Sequence, residues 1–200
     1  CSSLAQITIP SSVTSIGDHI FNGMKVLEIV GDIKHIPPKF FSGYSSLTQI
    51  TISSPVTSIG NSAFQGCLFL TQITIPSSVT SIGNSAFQGC LLLSQITIPS
   101  SVTEIEDNTF YYYKSLRQIT ISSPVTSIGN SAFSGCSSFT QIAIPSSVTS
   151  IGDSVFYYSQ FQFKADLYNE IGMCCSVYYA KAAEFYYKSA DVGNTVYTLL

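Results

Sequence analysis

The apolar positions of this chain recur with one long, fixed period. If position 0 is the residue that follows glycine in the motif FxGC, it falls in turn on Cys1, Met24, Tyr44, Cys67, Cys90, Tyr113 and Cys136. The interval is 23 residues in every case except the 20 residues between Met24 and Tyr44. Because internal repetition at such a period is typical of solenoids, residues 1–158 are predicted to form seven stacked coils, numbered 1 to 7 below.

Each regular coil alternates apolar and polar residues in a way that predicts its strands. Apolar side chains occupy positions 3, 6, 8, 12, 15 and 20, which in coil 4 are Leu70, Ile73, Ile75, Val79, Ile82 and Phe87. Positions 6 and 8 have the period of two that a strand with one buried face requires. The motif QITI is therefore predicted to be a strand with Ile inward and Gln and Thr outward, and SVTSIG a second, shorter extended segment.

The residues after the second segment predict a turn and one turn of helix. Position 16 is Gly17, Gly60, Gly83, Gly129 or Gly152 in five regular coils, which indicates unusual backbone dihedrals there. Coil 5 has Glu106 instead, so we expect its turn to be strained or different. The next residue is predicted to cap a helical turn over SAF, and it is Asp18, Asn61, Asn84, Asp107, Asn130 or Asp153.

The repeat read at residues 70–90, LTQITIPSSVTSIGNSAFQGC, resembles those of the BspA-like leucine-rich repeat family. This resemblance implies an α/β leucine-rich-repeat solenoid, built mainly of short parallel strands, over residues 1–159. Better-known members of the family lie at the cell surface and bind host or matrix proteins. Coil 2 departs from the pattern, because it lacks three residues and is rich in ionisable groups, namely Lys25, Glu28, Asp32, Lys34, His35 and Lys39.

The last part of the chain has a different periodicity. Small and apolar residues recur every three or four positions over residues 163–194, which favours helices. Gly172, Ala183, Tyr187 and Ala190 resemble the pattern of a tetratricopeptide or Sel1-like helical hairpin. Residues 160–200 are therefore predicted to form a helical hairpin that starts a truncated helical-repeat array.

Charge and composition exclude several classes of partner. Only 10% of the residues are charged and the net charge is -3, which gives no electrostatic footprint for nucleic acid or for an anionic membrane. The longest apolar runs are far too short to span a bilayer. We therefore expect no nucleic-acid partner and no membrane-spanning segment.

The residue types that carry chemistry occur in repeated structural positions. Cys1, Cys67, Cys90 and Cys136 share position 0 with Met and Tyr, so they are expected to be reduced, buried packing residues rather than disulfides or metal ligands. The pair Cys174–Cys175 lacks the CxxC spacing of a zinc site. Glycine-rich phosphate loops are absent, and the acidic cluster of coil 5 is interpreted as a solvated turn. The sequence predicts no catalytic residue, no metal site and no cofactor.

The outward side chains of the first strand provide the candidate binding site. They form Gln and Thr ladders that either keep the sheet soluble and in register or serve as an uncharged recognition face. The ladder residues are Gln49, Thr51, Gln72, Thr74, Gln95, Thr97, Gln118 and Thr120, with Lys34, His35 and Lys39 expected at one end.

Two functions remain open at the level of sequence. The leading hypothesis is a non-catalytic module for adhesion or for recognition of host or matrix proteins through the sheet face. This hypothesis places the protein at the cell surface by resemblance. The alternative is a cytoplasmic scaffold in which helical repeats after residue 160 bind the partner protein.

Overall fold

The computed structural model of the chain describes residues 5–13, 15, 20–21, 23–53, 55–121, 124–138 and 141–159. These residues form a solenoid of twelve short β-strands without an α-helix, so the expected α/β class is corrected to all-β for this part of the chain. Every strand pair is parallel, because each strand pairs with its equivalent in a neighbouring coil. The predicted hairpin at 160–200 lies outside the described residues.

The first strand of each coil lies on one side of the solenoid. These strands are β1 (Ala5–Thr8), β2 (Val26–Val30), β4 (Gln49–Ile52), β6 (Gln72–Thr74), β9 (Gln118–Thr120) and β11 (Gln141–Ala143). They form a four-stranded sheet in the order β1-β2-β4-β6 and a two-stranded sheet of β9 and β11. We call these two sheets the first face. Gln49 pairs with Gln72 and Ile50 with Ile73, so identical residues stack in register.

The second extended segments form two further sheets, which we call the second face. Their strands are β3 (His35–Ile36), β5 (Ser58–Ile59), β7 (Ser81–Ile82), β8 (Glu104–Ile105), β10 (Ser127–Ile128) and β12 (Ser150–Ile151). The strand orders are β3-β5-β7 and β8-β10-β12. The predicted second segment is thus confirmed as a short strand.

One continuous apolar core lies between the two faces. The isoleucines at position 6 are buried, for example Ile50 and Ile73, whereas Thr74 at position 7 is exposed. The predicted inward and outward faces are therefore confirmed. The position-20 rings form a column with centroid separations of 5.2 to 6.0 Å and nearly parallel planes, made of Phe41, Phe64, Phe87, Phe110, Phe133 and Phe156. Stacking therefore supplies the core that a single coil lacks.

The predicted helical turn after position 16 does not form. The serine that follows the Asn or Asp has φ between 53° and 56°, a left-handed conformation that an α-helix cannot contain, at Ser62, Ser85, Ser131 and Ser154. The polar side chain instead bonds to the next coil. Asn61 Oδ1 accepts the backbone N–H of Asn84 at 3.0 Å, and Asn130 Oδ1 accepts that of Asp153 at 2.7 Å. The interpretation of these residues as helix caps was wrong, because they satisfy donors in a neighbouring coil.

The glycines of position 16 are required by close contact rather than by their dihedrals. Gly60, Gly83, Gly129 and Gly152 all lie outside the left-handed region. A Cβ atom on Gly83 would lie 2.3 Å from Asn61 Oδ1 and 2.8 Å from Asn61 N. Five of the six left-handed glycines in the described residues are in the turn before position 0, where Gly89, for example, has φ of 72°. The predicted reason for glycine at position 16 was therefore wrong.

The stack is interrupted between coils 4 and 5. The first sheet ends at β6, and the equivalent segment of coil 5 forms a single bridge, from Thr97 to Thr120 of coil 6. On the second face, β7 and β8 belong to different sheets. The widest step of the phenylalanine column, 6.0 Å, joins Phe87 and Phe110 at the same boundary. We call this boundary the seam.

In the described structure, backbone hydrogen bonds cross the seam only in the turns that follow the second-face strands. Ser85 N–H donates to Asp107 O at 2.9 Å, and Gly89 N–H donates to Tyr111 O at 2.9 Å. Glu106 lies on the coil 5 side, at the position where other coils have glycine. At the equivalent glycines a Cβ atom would meet the preceding coil, so the side chain of Glu106 is consistent with the separation of the strands of coils 4 and 5. The turn after Glu106 nevertheless has the same left-handed residue as the other coils, Asn108 with φ of 54°, so the expected difference in this turn is not observed.

The three residues missing from coil 2 fall before its first strand. From Val26 onward, coil 2 pairs with coil 3 at the regular interval, as Val26 with Gln49 and Ile36 with Ile59. The shortening therefore lies in the turn that precedes β2. It also changes which residues of coil 2 face outward on the first face.

Candidate functional site

The predicted Gln and Thr ladder lies on the outside of the first face. Gln72 and Thr74 are exposed on β6 and flank the buried Ile73, and they pair with Gln49 and Thr51 of β4. Beyond the seam, Gln95 and Thr97 are exposed in coil 5, and Thr120 is exposed on β9. Gln118 is placed on β9 by its backbone. The structure thus brings the predicted ladder residues to one side, in two groups separated by the seam.

Four side chains of this ladder have polar atoms that the fold does not use. In the described residues, the side chains of Gln72, Thr74, Gln95 and Thr97 make no hydrogen bond to another residue. Threonines elsewhere in the coil behave differently. Thr71 Oγ1 donates to the carbonyl of Thr48 at 2.9 Å. Those hydroxyls hold the coils together, whereas these four ladder side chains keep their donors and acceptors for solvent or for a partner.

The predicted basic group is not part of this ladder. His35 lies on β3 of the second face, and Lys34 comes immediately before it. Lys39 lies in the following turn with φ of 59°. All three side chains are exposed, and His35 Nδ1 is 2.7 Å from Ser58 Oγ. Because β3 and β4 belong to different sheets, the structure separates these residues from the Gln and Thr ladder.

Glu28 is the charged residue that does extend the ladder. It pairs with Thr51 across β2 and β4. Its carboxylate accepts a hydrogen bond from Gln6 Nε2 at 2.7 Å and one from Ser53 Oγ at 2.7 Å. These two hydrogen bonds hold the pKa of Glu28 below its ordinary value. A fixed negative charge therefore lies at the coil 2 end of the ladder.

The sequence did not place Glu28 on the ladder, because the position of the three residues missing from coil 2 was not identified from the sequence. The available signal was the apolar pair Leu27 and Ile29, which is buried like the isoleucines at positions 6 and 8 of other coils. Aligning that pair with Ile50 and Ile52 places Glu28 opposite Thr51.

The repeat cysteines are packing residues, as predicted. Cys67, Cys90 and Cys136 are free and fully buried. Each thiol donates to the backbone carbonyl of a phenylalanine in the adjacent turn of the stack, for example Cys67 Sγ to Phe41 O at 3.1 Å. Burial raises the pKa of Cys67 and of Cys136 to about 12, so neither is a thiolate near neutral pH. Cys1 and the pair Cys174–Cys175 lie outside the described residues.

The acidic cluster of coil 5 has no site character in the described structure. Glu104 is exposed, while Glu106 and Asp107 are half-buried. Partial burial raises the pKa of Glu106, with Glu104 and Asp107 adding to the effect. No group of three His, Cys, Asp or Glu side chains that could hold a metal ion occurs among the described residues. In that part of the chain, no helix has the length and apolarity needed to cross a membrane.

The solenoid is similar to solved repeat proteins. It aligns with the leucine-rich repeat protein TpLRR of T. pallidum at a TM-score of 0.60 and 21% identity, over 84% of this chain and 81% of that chain. It also aligns with a leucine-rich cell surface protein of Faecalibacterium prausnitzii at a TM-score of 0.48 and 25% identity, over 80% of this chain and 69% of that chain. A comparison with curated proteins finds no match.

The sequence itself matches the family model described as BspA type leucine-rich repeat region. The match has six copies, over residues 1–90 and 34–162. These two ranges overlap and together cover most of the chain, including every described strand. The expected family is thereby confirmed: the protein belongs to the BspA type leucine-rich repeat family.

Proposed function

We propose that this chain is a non-catalytic protein-binding module for adhesion or for recognition of host or matrix proteins, which contacts its partner through the Gln and Thr ladder of the first face. The observation that carries the proposal is that Gln72, Thr74, Gln95 and Thr97 of the ladder are exposed and form no side-chain hydrogen bonds within the described fold. Membership of a repeat family supports it, because stacked repeats present extended surfaces that commonly bind proteins.

The chemistry of the ladder favours a neutral, polar partner surface. Each Gln offers two donors and an acceptor, and each Thr offers one donor and an acceptor. These groups recur about every 4.8 Å along the stack, so the pattern of donors and acceptors is regular. No charged residue occurs between Tyr44 and Thr103, so burying this surface does not require desolvation of a charge there.

Glu28 supplies direction to an otherwise repetitive surface. It is the charged end of the ladder, and its carboxylate is oriented by Gln6 and Ser53. A partner with a cationic group at the matching place would bind in one orientation rather than sliding by one coil. Charge across an interface chiefly sets register and specificity in this way.

A catalytic function receives no support from the His35 and Ser58 pair. Their 2.7 Å contact is the distance expected of a base and a nucleophile. However, both belong to neighbouring short strands in a repeated position, and no acidic side chain of the described residues bonds to His35. A catalytic base needs such a third group to orient it.

The proposal is tested by adding charge to the ladder. Gln72→Glu with Gln95→Glu places two carboxylates on the first face, on opposite sides of the seam. Ser81→Glu with Ser150→Glu adds the same charge to exposed positions of the second face and is the matched control. Binding to immobilised matrix and serum proteins is measured by surface plasmon resonance, and circular dichroism checks the fold.

We expect the ladder variant to bind about tenfold more weakly or worse, with the control unchanged, because each buried unpaired charge costs at least 1.4 kcal/mol of binding, about a factor of ten. Unchanged binding by a folded ladder variant would rule out the first face. Equal losses in both variants would indicate a general effect of charge.

A further inference from the structure

The exposed large apolar side chains are concentrated on one edge of the solenoid. We define the turn edge as the chain from the residue before position 0 to the start of the first-face strand in each coil. Of the six exposed large apolar side chains in the described structure, five lie on this edge, namely Leu68, Phe69, Leu92, Tyr112 and Tyr158. The sixth, Ile20, lies in coil 1, before the edge of coil 2 begins at Gly23.

The backbone makes these side chains project. Gly66 has φ of 71°, and Leu68 N–H donates to Gly66 O at 2.8 Å, so the chain reverses immediately before the apolar pair. The next residue, Leu70, turns inward and is buried. Phe69 remains 54% exposed, on the outside of a turn rather than in a groove.

The fold does not require apolar residues at this place. The equivalents of Leu68 and Phe69 are Ser45 and Ser46 in coil 3, Lys114 and Ser115 in coil 6, and Ser137 and Ser138 in coil 7. These coils stack in the same way. The solenoid could therefore form without the exposed apolar side chains of coils 4 and 5. Exposed apolar surface that the fold does not need is typical of an interaction site.

Charge is segregated with respect to this edge. The charged residues on it are all cationic and exposed: Lys25, Lys114 and Arg117. The carboxylates of the described residues lie on the strands of the two faces or in the turns after them, at Glu28, Asp32, Glu104, Glu106, Asp107 and Asp153. The Lys114 ammonium lies 5.2 Å from the centre of the Tyr112 ring, within range of a cation–π contact. The edge is thus apolar in its centre and positive at its sides.

These charges argue against a second copy as the occupant. Coils 4 and 5 carry the apolar centre, with Lys25 on one side and Lys114 and Arg117 on the other. Pairing two edges in parallel brings Lys25 opposite Lys25 and Lys114 opposite Lys114. Pairing them antiparallel about the apolar centre sets the cations of coils 2 and 6 opposite edges whose described residues carry no carboxylate. Like charges facing each other across an interface are unfavourable.

We propose that the turn edge docks on an anionic lipid bilayer surface. The net charge of the whole chain does not predict this, because the exposed cations are concentrated on this edge and the described carboxylates lie elsewhere. Leu68, Phe69 and Leu92 enter the boundary between headgroups and acyl chains, and the cations contact anionic headgroups. A bilayer accepts projecting side chains without a complementary pocket, whereas a protein partner must supply one. Tyr112 and Lys114 suit this boundary, because each has an apolar body and a polar tip.

The first experiment measures co-sedimentation of the purified chain with phosphatidylcholine vesicles, with and without phosphatidylserine. The edge variant is Leu68→Ser with Phe69→Ser and Leu92→Ser, which introduces the residue that coil 3 has at these positions. Ile20→Ser removes an equally exposed apolar side chain outside the edge and is the control. We expect the wild-type chain to bind the anionic vesicles, and the edge variant to bind them at least about tenfold more weakly. The control is expected to match the wild type.

The cationic contribution is measured separately. Lys114→Gln should weaken binding to anionic vesicles about fivefold, and added salt should weaken wild-type binding. Binding that is equal for vesicles with and without phosphatidylserine would overturn the role given to the cations.

The second experiment locates the edge within the bilayer. The chain contains no Trp, so Phe69→Trp and Ile20→Trp each provide a single fluorescent reporter. With anionic vesicles, the Phe69→Trp emission should shift to the blue and be quenched by lipids with brominated acyl chains, while the Ile20→Trp emission stays unchanged. A chain that stays in the supernatant, or an edge variant that binds like the wild type, overturns the proposal. A protein with an acidic, apolar surface would then be the remaining class of partner for this edge.

Discussion

The two kinds of glycine in the coil make opposite demands, and substitutions at Gly83 and Gly89 can separate them. Gly83 has no space for a side chain, since its Cβ atom would lie 2.3 Å from Asn61 Oδ1 and 2.8 Å from Asn61 N. Gly89 has the left-handed φ of 72°, but its Cβ atom would meet nothing closer than 3.8 Å. One position is therefore restricted by space and the other by backbone conformation.

The expected costs follow from these contacts. Gly83→Ala forces neighbouring coils apart, which costs about 1 to 3 kcal/mol. It also disturbs the 3.0 Å hydrogen bond from Asn84 N–H to Asn61 Oδ1, worth about 1 kcal/mol. We therefore expect a loss of about 2 to 4 kcal/mol in the free energy of unfolding. Gly89→Ala should cost about 1 to 2 kcal/mol, the price of a left-handed residue with a Cβ atom.

Asparagine provides the sharper comparison. It tolerates the left-handed region better than alanine, so Gly89→Asn should be less destabilising than Gly89→Ala. At Gly83, asparagine is simply larger, so Gly83→Asn should be more destabilising than Gly83→Ala. The assay is urea denaturation of all four variants followed by circular dichroism. The same order of alanine and asparagine at both positions would refute the distinction between space and conformation.

Three further predictions concern the seam, the core and the thiols. Glu106→Gly should let coils 4 and 5 approach, so the backbone amides of both coils should exchange hydrogen more slowly, as measured by mass spectrometry. Unchanged exchange would show that the Glu106 side chain does not cause the seam. Ile50→Ala should cost about 2 to 5 kcal/mol and the neighbouring Thr51→Ala under about 1, and equal urea midpoints would mean that the faces are reversed. Burial raises the pKa of Cys67 and Cys136 from near 9 to about 12, so both thiols stabilise the fold below pH 9 and this contribution is lost as the pH rises to 12. The urea midpoint should therefore fall over that range, and iodoacetamide should modify these cysteines only after unfolding, whereas rapid native modification would show that they are accessible.

Most of the solenoid could be predicted from the sequence because its burial pattern is periodic. The alternation around Ile73 identifies a half-buried strand from a few adjacent residues. Repetition of that segment then predicts parallel stacking, and a position shared by Cys, Met and Tyr predicts packing rather than chemistry. The candidate ladder followed from the same alternation, since the residues between the buried isoleucines must face outward.

The contacts between coils were decided only by the tertiary structure. A glycine in the sequence is compatible with a left-handed turn or with a missing Cβ atom, and only the distance from Gly83 to Asn61 distinguishes the two. An asparagine before a small residue can cap a helix or bond to the next coil. The place of Glu28 on the ladder depends on where a gap falls between two turns. In each case the partner is about one repeat away along the chain but in direct contact in space, so local pattern determines which face a residue occupies, and stacking determines what it touches.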